Sequence, residues 1–337
     1  MTEVEVVEQE APVGEPTPRP CLCQSFLRAT ERAALAGARW LGRADQDAAE
    51  DAACGGMKAA LDQLPIRGRI VIGAADTANV LRIDEMVGAG GPEVDLALDP
   101  LEGRGVVARG GYGAMSMIAV GEKNALMTLP NMYMRKIAGG PRARGRISLD
   151  RPVAENIAAI AEAFGRNLND VTTIVLDRPR HHDLIEEIRA AGARIKLIQD
   201  GDVTASISAA VRGTNDHLAI GIGGTRQAVL TAAALRCLGG ELQAQFWPTS
   251  RREIDTLREL GIEDYGHIFT IDELTPGEII VAATGVSNGD LLRGVRFLAD
   301  SGRTHSLLMC TRCNWVRFVD GIHFFARDRR EEVRLLV

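Results

Sequence analysis

The sequence predicts a layered α/β protein, an α/β sandwich of two domains, and three observations lead there. From about Pro152 onward, helical and strand patterns alternate. Strict βα alternation of this kind places helices on both faces of a sheet. Upstream lies a β-rich section whose short apolar runs are separated by glycine loops, and two helical segments precede it. The composition fits a large layered core without many rings: 46% of the 337 residues are hydrophobic and only 4% aromatic, so Ala, Val, Leu and Ile must fill it. At roughly 150 residues per domain the length suggests two domains.

Residues 1–24 are rich in Glu, Pro and Val without a helical period and read as a disordered tail. Apolar residues recur at helical spacing over Phe26–Leu41, and a second helix is expected over Asp45–Leu64, stopped by Pro65, with Asp45 and Asp47 at its positive end. Strands are expected at Arg69–Gly73, Val94–Leu98, Gly113–Gly121, Ala125–Leu129 and Ile147–Leu149. The alternating part predicts helices at Val153–Phe164, Leu184–Ala191, Asp202–Val211 and Thr225–Leu238. Its strands fall at Val171–Leu176, Ile195–Gln199 and Leu218–Ile222, with later ones at Ile279–Ala283, Leu307–Cys310 and Val316–Phe325. The expected domains are 25–151 and 152–337, the last strands packing back on the first domain.

A net charge of −6 argues against general nucleic-acid binding. No apolar stretch approaches the roughly 20 residues that span a bilayer, and no basic-then-apolar leader opens the chain, so a cytoplasmic location is expected. Only Lys58, Lys123, Lys136 and Lys196 stand among 39 basic residues, the rest being arginine, a bias that codon usage or bidentate phosphate recognition can produce. The six cysteines do not form a disulfide framework for a chain of this size. Cys21-Leu22-Cys23 and Cys310-Thr311-Arg312-Cys313 together can supply four zinc ligands, but ordinary reduced thiols are the expectation, since each pair is half a finger and the first lies in the tail.

Four segments carry chemistry. Asp99-Pro100-Leu101-Glu102-Gly103 leaves the strand Val94–Leu98, and its two carboxylates suit Mg²⁺ or Mn²⁺ if they point at one spot; otherwise they are a turn Asp and a solvated Glu. Gly221-Ile222-Gly223-Gly224-Thr225 joins a strand end to a helix start, where backbone N–H groups favour phosphate, and Arg226 follows. Gln199-Asp200-Gly201-Asp202 stands at another strand's carboxyl end, where ligands of open α/β sheets bind, although Asp202 is equally placed to cap a helix. Arg178-Pro179-Arg180-His181-His182 offers phosphate ligands or a solvated loop.

Taken in order, these segments resemble the class II fructose-1,6-bisphosphatases. Thr30–Gly37 with Trp40–Arg43 resembles that family's first helix, Arg69–Gly73 its next strand, Val94–Gly103 its metal motif, and Pro130–Lys136 its substrate-binding Pro-Asp-Met-Tyr-Met segment. Arg178–His181, Asp200–Ser206, Gly221–Gly224, Ala283-Thr284-Gly285 and Gly289–Leu292 follow in the family's order, so the likeness runs from residue 26 to 337. The resemblance implies the layered fold of the sugar phosphatase superfamily, a homodimer or homotetramer, Mg²⁺ or Mn²⁺ as cofactor, and hydrolysis of a sugar bisphosphate or related phosphorylated sugar or cyclitol. It implies substrate contacts from Tyr133, Arg178, Arg180, His181, Asp200, Asp202, Gly223, Gly224 and Arg226, catalytic roles for Asp99 and Glu102, and metal ligation by Glu50, Asp76, Asp99 and Glu102.

Several family positions are changed. Glu50 stands for an Asp, Ala74 for a Glu ligand, Arg104 for the threonine that helps activate water, Gln227 for another Glu ligand, Arg226 for a proline and Gln46 for a lysine. Two carboxylates leave and two guanidiniums arrive. Arg104 is therefore expected to supply the counter-charge for Asp99 and Glu102 in place of a metal, converting a metal site to an anion site; alternatively Glu50 and Asp76 rebuild the metal site. Three functions follow: a phosphatase, a metal-independent sugar-phosphate isomerase or lyase with His181, His182 or Asp202 as acid–base groups, or a non-catalytic sugar-phosphate sensor or partner subunit.

Overall fold

The computed structural model describes residues 21–74 and 78–325. Two helices open it, α1 (Cys23–Gly37) and α2 (Gln46–Leu61). Helix α2 starts where the Asp45 side chain accepts the Ala48 N–H at 2.9 Å, so Asp45, expected within the helix at its positive end, is instead its N-cap. The chain then passes through β1 (Arg67–Ile72), β2 (Met86–Val87), β3 (Glu93–Glu102), α3 (Arg104–Arg109), β4 (Met115–Gly121) and β5 (Tyr133–Gly139). Next come α4 (Val153–Phe164), β6 (Thr172–Leu176), α5 (His182–Ala190), β7 (Arg194–Ile198), α6 (Asp202–Ala210), β8 (Leu218–Gly224), α7 (Thr225–Leu238) and β9 (Glu241–Phe246). The final elements are α8 (Arg251–Glu259), β10 (Ile268–Thr270), α9 (Ile271–Leu274), β11 (Ile279–Gly285), β12 (Arg296–Phe297), β13 (Ser301–Cys310) and β14 (Trp315–Phe324).

The strands make two sheets. One runs β12-β13-β11-β4-β3-β1-β2 with β14 on β13; the other runs β10-β9-β5-β8-β6-β7. Strands from the end of the chain thus complete the sheet begun by β1, β3 and β4. The period of two along each strand explains the stacking. On β4, Met115, Met117 and Ala119 enter one apolar cluster while Ile118 and Val120 enter another. On β5, Met134 and Ala138 join the central cluster and Ile137 the outer one under α4 and α5. Each sheet is therefore apolar on both faces and must be covered on both. Helices α1 and α2 cover the first sheet, α6 and α7 fill the space between the sheets, and α4 and α5 cover the second. The result is an α–β–α–β–α stack.

Two expected strands are absent. Ala125–Leu129 is a loop whose apolar side chains Ala125 and Leu126 are buried in the central core, and Met127 N–H donates to Leu274 O rather than to a ladder. Ile147–Leu149 is likewise irregular: Gln243 holds it, accepting Leu149 N–H at 2.9 Å and donating to Ile147 O. Both were apolar runs whose backbone polar groups found non-strand partners, which periodicity does not reveal. Helix α2 also ends three residues short of Leu64. No helix among the described residues is long and apolar enough to cross a membrane.

Candidate active site

A cavity of about 340 Å³ opens where the carboxyl ends of β3, β6 and β8 meet the starts of α6 and α7. Glu50, Asp99, Glu102, Arg104, Tyr133, Arg178, Arg180, Asp200, Asp202, Gly223, Gly224, Arg226 and Gln227 all line it, so segments up to 177 residues apart in sequence share one pocket.

The acidic wall depends on a bulge. Asp99 pairs with Met117 and Glu102 with Met115, so three steps along β3 match two along β4. In a regular strand residues 99 and 102 would face opposite sides of the sheet; one extra residue resets the alternation and turns both carboxylates toward the cavity. The same shift keeps Leu96, Leu98 and Leu101 in one core. Pro100, which has no N–H to lose from the ladder, sits within the bulge. Glu50, from the middle of α2, is buried beside this pair and accepts a bond from the Cys54 thiol.

Glu102 is held by the N-terminus of α6. Its carboxylate accepts Val203 N–H at 2.7 Å, Thr204 N–H at 3.1 Å and the Thr204 hydroxyl at 2.5 Å. The counter-charge expected of Arg104 is thus supplied to Glu102 by helix N–H groups and their dipole. Arg104 instead points its Nη1 to within 3.4 Å of Asp47 and lends positive charge to Asp200. The arginine that reaches toward a lost family ligand is Arg226, whose Nη1 donates to Ala74 O at 2.9 Å.

Burial raises the pKa of Asp99 to about 8, and the charges of Glu50, Asp200 and Asp202 add to the effect. Gln227 moderates it by donating Nε2–H to Asp99 at 3.4 Å. Glu102 is pushed well up by burial and by Asp99 and Asp202; Asp200 is pushed up by burial, with Gly201 N–H opposing. These groups resist simultaneous ionisation, and a positive ligand would relieve them. Glu50, Asp99 and the Gln227 amide oxygen are donors of the kind a hard divalent cation takes, although among the described residues these carboxylates are not gathered into a ligand cluster. Asp76, also expected as a ligand, lies outside the described residues.

The opposite wall is basic and aromatic. The pairing of β5 with β8 sets Tyr133 opposite Gly224 and Met134 opposite Gly223. The Arg180 guanidinium lies 4.8 Å from the centre of the Tyr133 ring and donates to Ile222 O at 2.9 Å. Arg178 donates to Gln199 O beside it. Helix α7 begins at Gly224–Thr225 without a side-chain cap; Thr225 N–H donates to Met132 O at 3.0 Å, and the Gly223–Gly224 turn before it lines the pocket. Gly223 sits close against the partly buried Asp202–Lys136 ion pair, whose charged ends a Cβ there would have to push aside.

His181 differs from the expected substrate contact. It is buried outside the cavity lining; Ile222 N–H donates to its Nε2 at 2.7 Å, so Nδ1 carries the proton and donates to Leu176 O at 2.8 Å. Burial and then Arg180 and Arg178 push its pKa down, in keeping with a neutral ring. Neither nitrogen is left for a ligand. His182 is exposed at the start of α5 and is not part of the cavity wall. Lys136, which pins Asp202 beneath Gly223, was not singled out by sequence; a lysine that shares its strand face with the core residues Met134 and Ala138 is the signal that marks it.

A family model described as bacterial fructose-1,6-bisphosphatase, glpX-encoded, matches residues 21–323. The chain belongs to that family. A Synechococcus protein described as D-fructose 1,6-bisphosphatase class 2/sedoheptulose 1,7-bisphosphatase is 42% identical over 326 residues, covering 88% of this chain and 94% of its own length. Proteins of the same description from Crocosphaera subtropica and Thermosynechococcus vestitus are 38% and 39% identical, over 92% and 89% of this chain and 98% and 95% of theirs. The family acts on phosphorylated sugars and depends on a divalent metal.

Proposed function

We propose that the cleft binds a sugar bisphosphate and hydrolyses one of its phosphates with the help of a divalent cation. The observation that carries this is the convergence, in one cavity, of the Glu50–Asp99–Glu102 carboxylate wall with the uncapped start of α7 and the Arg178, Arg180 and Tyr133 wall. Glu50, Asp99 and the Gln227 amide would hold the cation, which supplies charge neutralisation at the phosphoryl oxygens and a lowered pKa for water. The chain's own residues do the rest. The α7 N–H groups and Arg226 hold one phosphate; Arg178 and Arg180 hold the other end; Asp200 and Asp202 accept sugar hydroxyls; Tyr133 shields the sugar from water. With its pKa raised to about 8, Asp99 holds a proton near neutral pH until a cation offsets its charge, so its part is to bind that cation.

A non-catalytic sugar-phosphate binder is the second reading, and the Arg226–Ala74 contact favours it, since a guanidinium there offsets negative charge without generating hydroxide. One experiment separates the two: phosphate release from fructose-1,6-bisphosphate with Mn²⁺, with Mg²⁺ and with chelator, beside an Ala74→Glu, Arg104→Thr, Gln227→Glu variant. The proposal expects cation-dependent release by the native chain and at least about a tenfold gain in the variant, roughly 1.4 kcal/mol of barrier. Calorimetric binding without release by the native chain, with release regained in the variant, selects the binder.

A further inference from the structure

Cys21 and Cys310 are 289 residues apart, yet their Sγ atoms lie 3.7 Å from each other, and those of Cys23 and Cys313 lie 4.0 Å apart. All four Sγ atoms fall within 4.8 Å of one another. We propose that these cysteines form a closed, structural zinc site that fastens the start of α1 to the turn between β13 and β14.

The geometry suits a tetrahedron. Four thiolates about 2.3 Å from one zinc stand about 3.8 Å apart, because a tetrahedral edge is about 1.63 times the centre-to-corner distance. A pair of disulfides would need sulfurs matched two by two at about 2.05 Å, not four converging on one point. The chain supplies each pair in a compact form. Cys310 ends β13, and residues 311–314 turn back with Asn314 at φ +50°, so Cys313 returns beside Cys310. The Cys313 N–H donates to Cys310 Sγ at 3.4 Å, the kind of outer bond that orients and stabilises a metal-bound thiolate. Cys21 and Cys23 flank Leu22 at the first turn of α1, and Cys23 is buried. An all-sulfur set selects a soft ion, and four protein ligands leave no open position for substrate.

The site is also remote from the cleft. In the first sheet Gly121 pairs with both Asp95 and Ile279, next to the Ile280–Cys310 pair, whereas Met115 pairs with Glu102 and Gly285 at the other end. A clip at the far end would join residues near both ends of the described chain, where loop closure restrains the unfolded state most.

The test uses the full chain, expressed with zinc supplied and then desalted. Elemental analysis is expected to give about one zinc per chain, and cobalt reconstitution the intense thiolate-to-metal bands of a tetrahedral sulfur site. Cys313→Ser should lower the bound zinc at least tenfold, and chelator should lower the melting temperature of the native chain but not of the variant. If Cys313→Ser does not fold, the cobalt spectrum of the native chain decides alone. Zinc-free native protein without cobalt–thiolate bands, stoichiometric iron, thiols released by reductant but not chelator, or undiminished zinc in Cys313→Ser would each overturn the proposal.

Discussion

Two buried polar side chains, His181 and Glu102, stand close to the cleft and do different work. His181 is saturated by backbone: it accepts from Ile222 and donates to Leu176, tying the loop after β6 to β8. His181→Ala would strand both groups, at a cost of about 2 kcal/mol or more. The expected outcome is a lower denaturant midpoint with an unchanged KM for any phosphorylated substrate; a raised KM at unchanged stability would restore the role that its place in the sequence suggested. That role was legible only as a residue type after a strand. Which way the ring faced depended on the strand's neighbours, which no local pattern encodes.

At the scale of elements, the β3 bulge and the Gly223 approach decide the cleft. The bulge aims Asp99 and Glu102 together, and α6 answers by presenting Val203 and Thr204 N–H groups to Glu102. Gly223 lets β8 pass against the Lys136–Asp202 pair. Gly223→Ala would push the charged ends of that pair aside and is expected to cost about 1 kcal/mol, the low end for overpacking, because the atoms in the way end flexible side chains. Urea unfolding measures it, and a midpoint equal to that of the native chain would show that the strand can move away. The helices and strands themselves were largely readable: α4 and α7 match their apolar periods residue for residue, and Asp45 stands at the positive end of α2 as expected. Ala125–Leu129 and Ile147–Leu149 were not, because a buried apolar run in a loop has the same composition as a strand.

Across the whole molecule, packing loads one cavity with negative charge from α2, β3 and the loop before α6. Asp99 carries a folded pKa of about 8 against 3.8 when unperturbed. The folded state therefore holds a proton that the unfolded chain has lost. Asp99 favours the fold fully only below the unfolded value, and that contribution is lost as pH rises from about 4 to about 8. A cation displaces the proton, so its benefit has the opposite sense. The gain in melting temperature on adding Mn²⁺ to chelator-treated protein is expected to be larger at about pH 8.5 than at about pH 6, and Asp99→Asn should remove the difference. An equal gain at both pH values would mean that Asp99 does not face the ion.

By itself the sequence determined the layered α/β class and most helices and strands, because periodicity, caps and turn motifs are properties of neighbouring residues, while the family and most of the cleft residues followed from the resemblance of its ordered motifs. Only the tertiary structure decided which charges meet. Glu102 found a helix terminus rather than Arg104, Arg226 rather than Arg104 turned toward Ala74, and Cys21 and Cys23 met Cys310 and Cys313. Those pairings depend on strand register and on the stacking of distant layers, where a shift of one residue reverses the face a side chain presents.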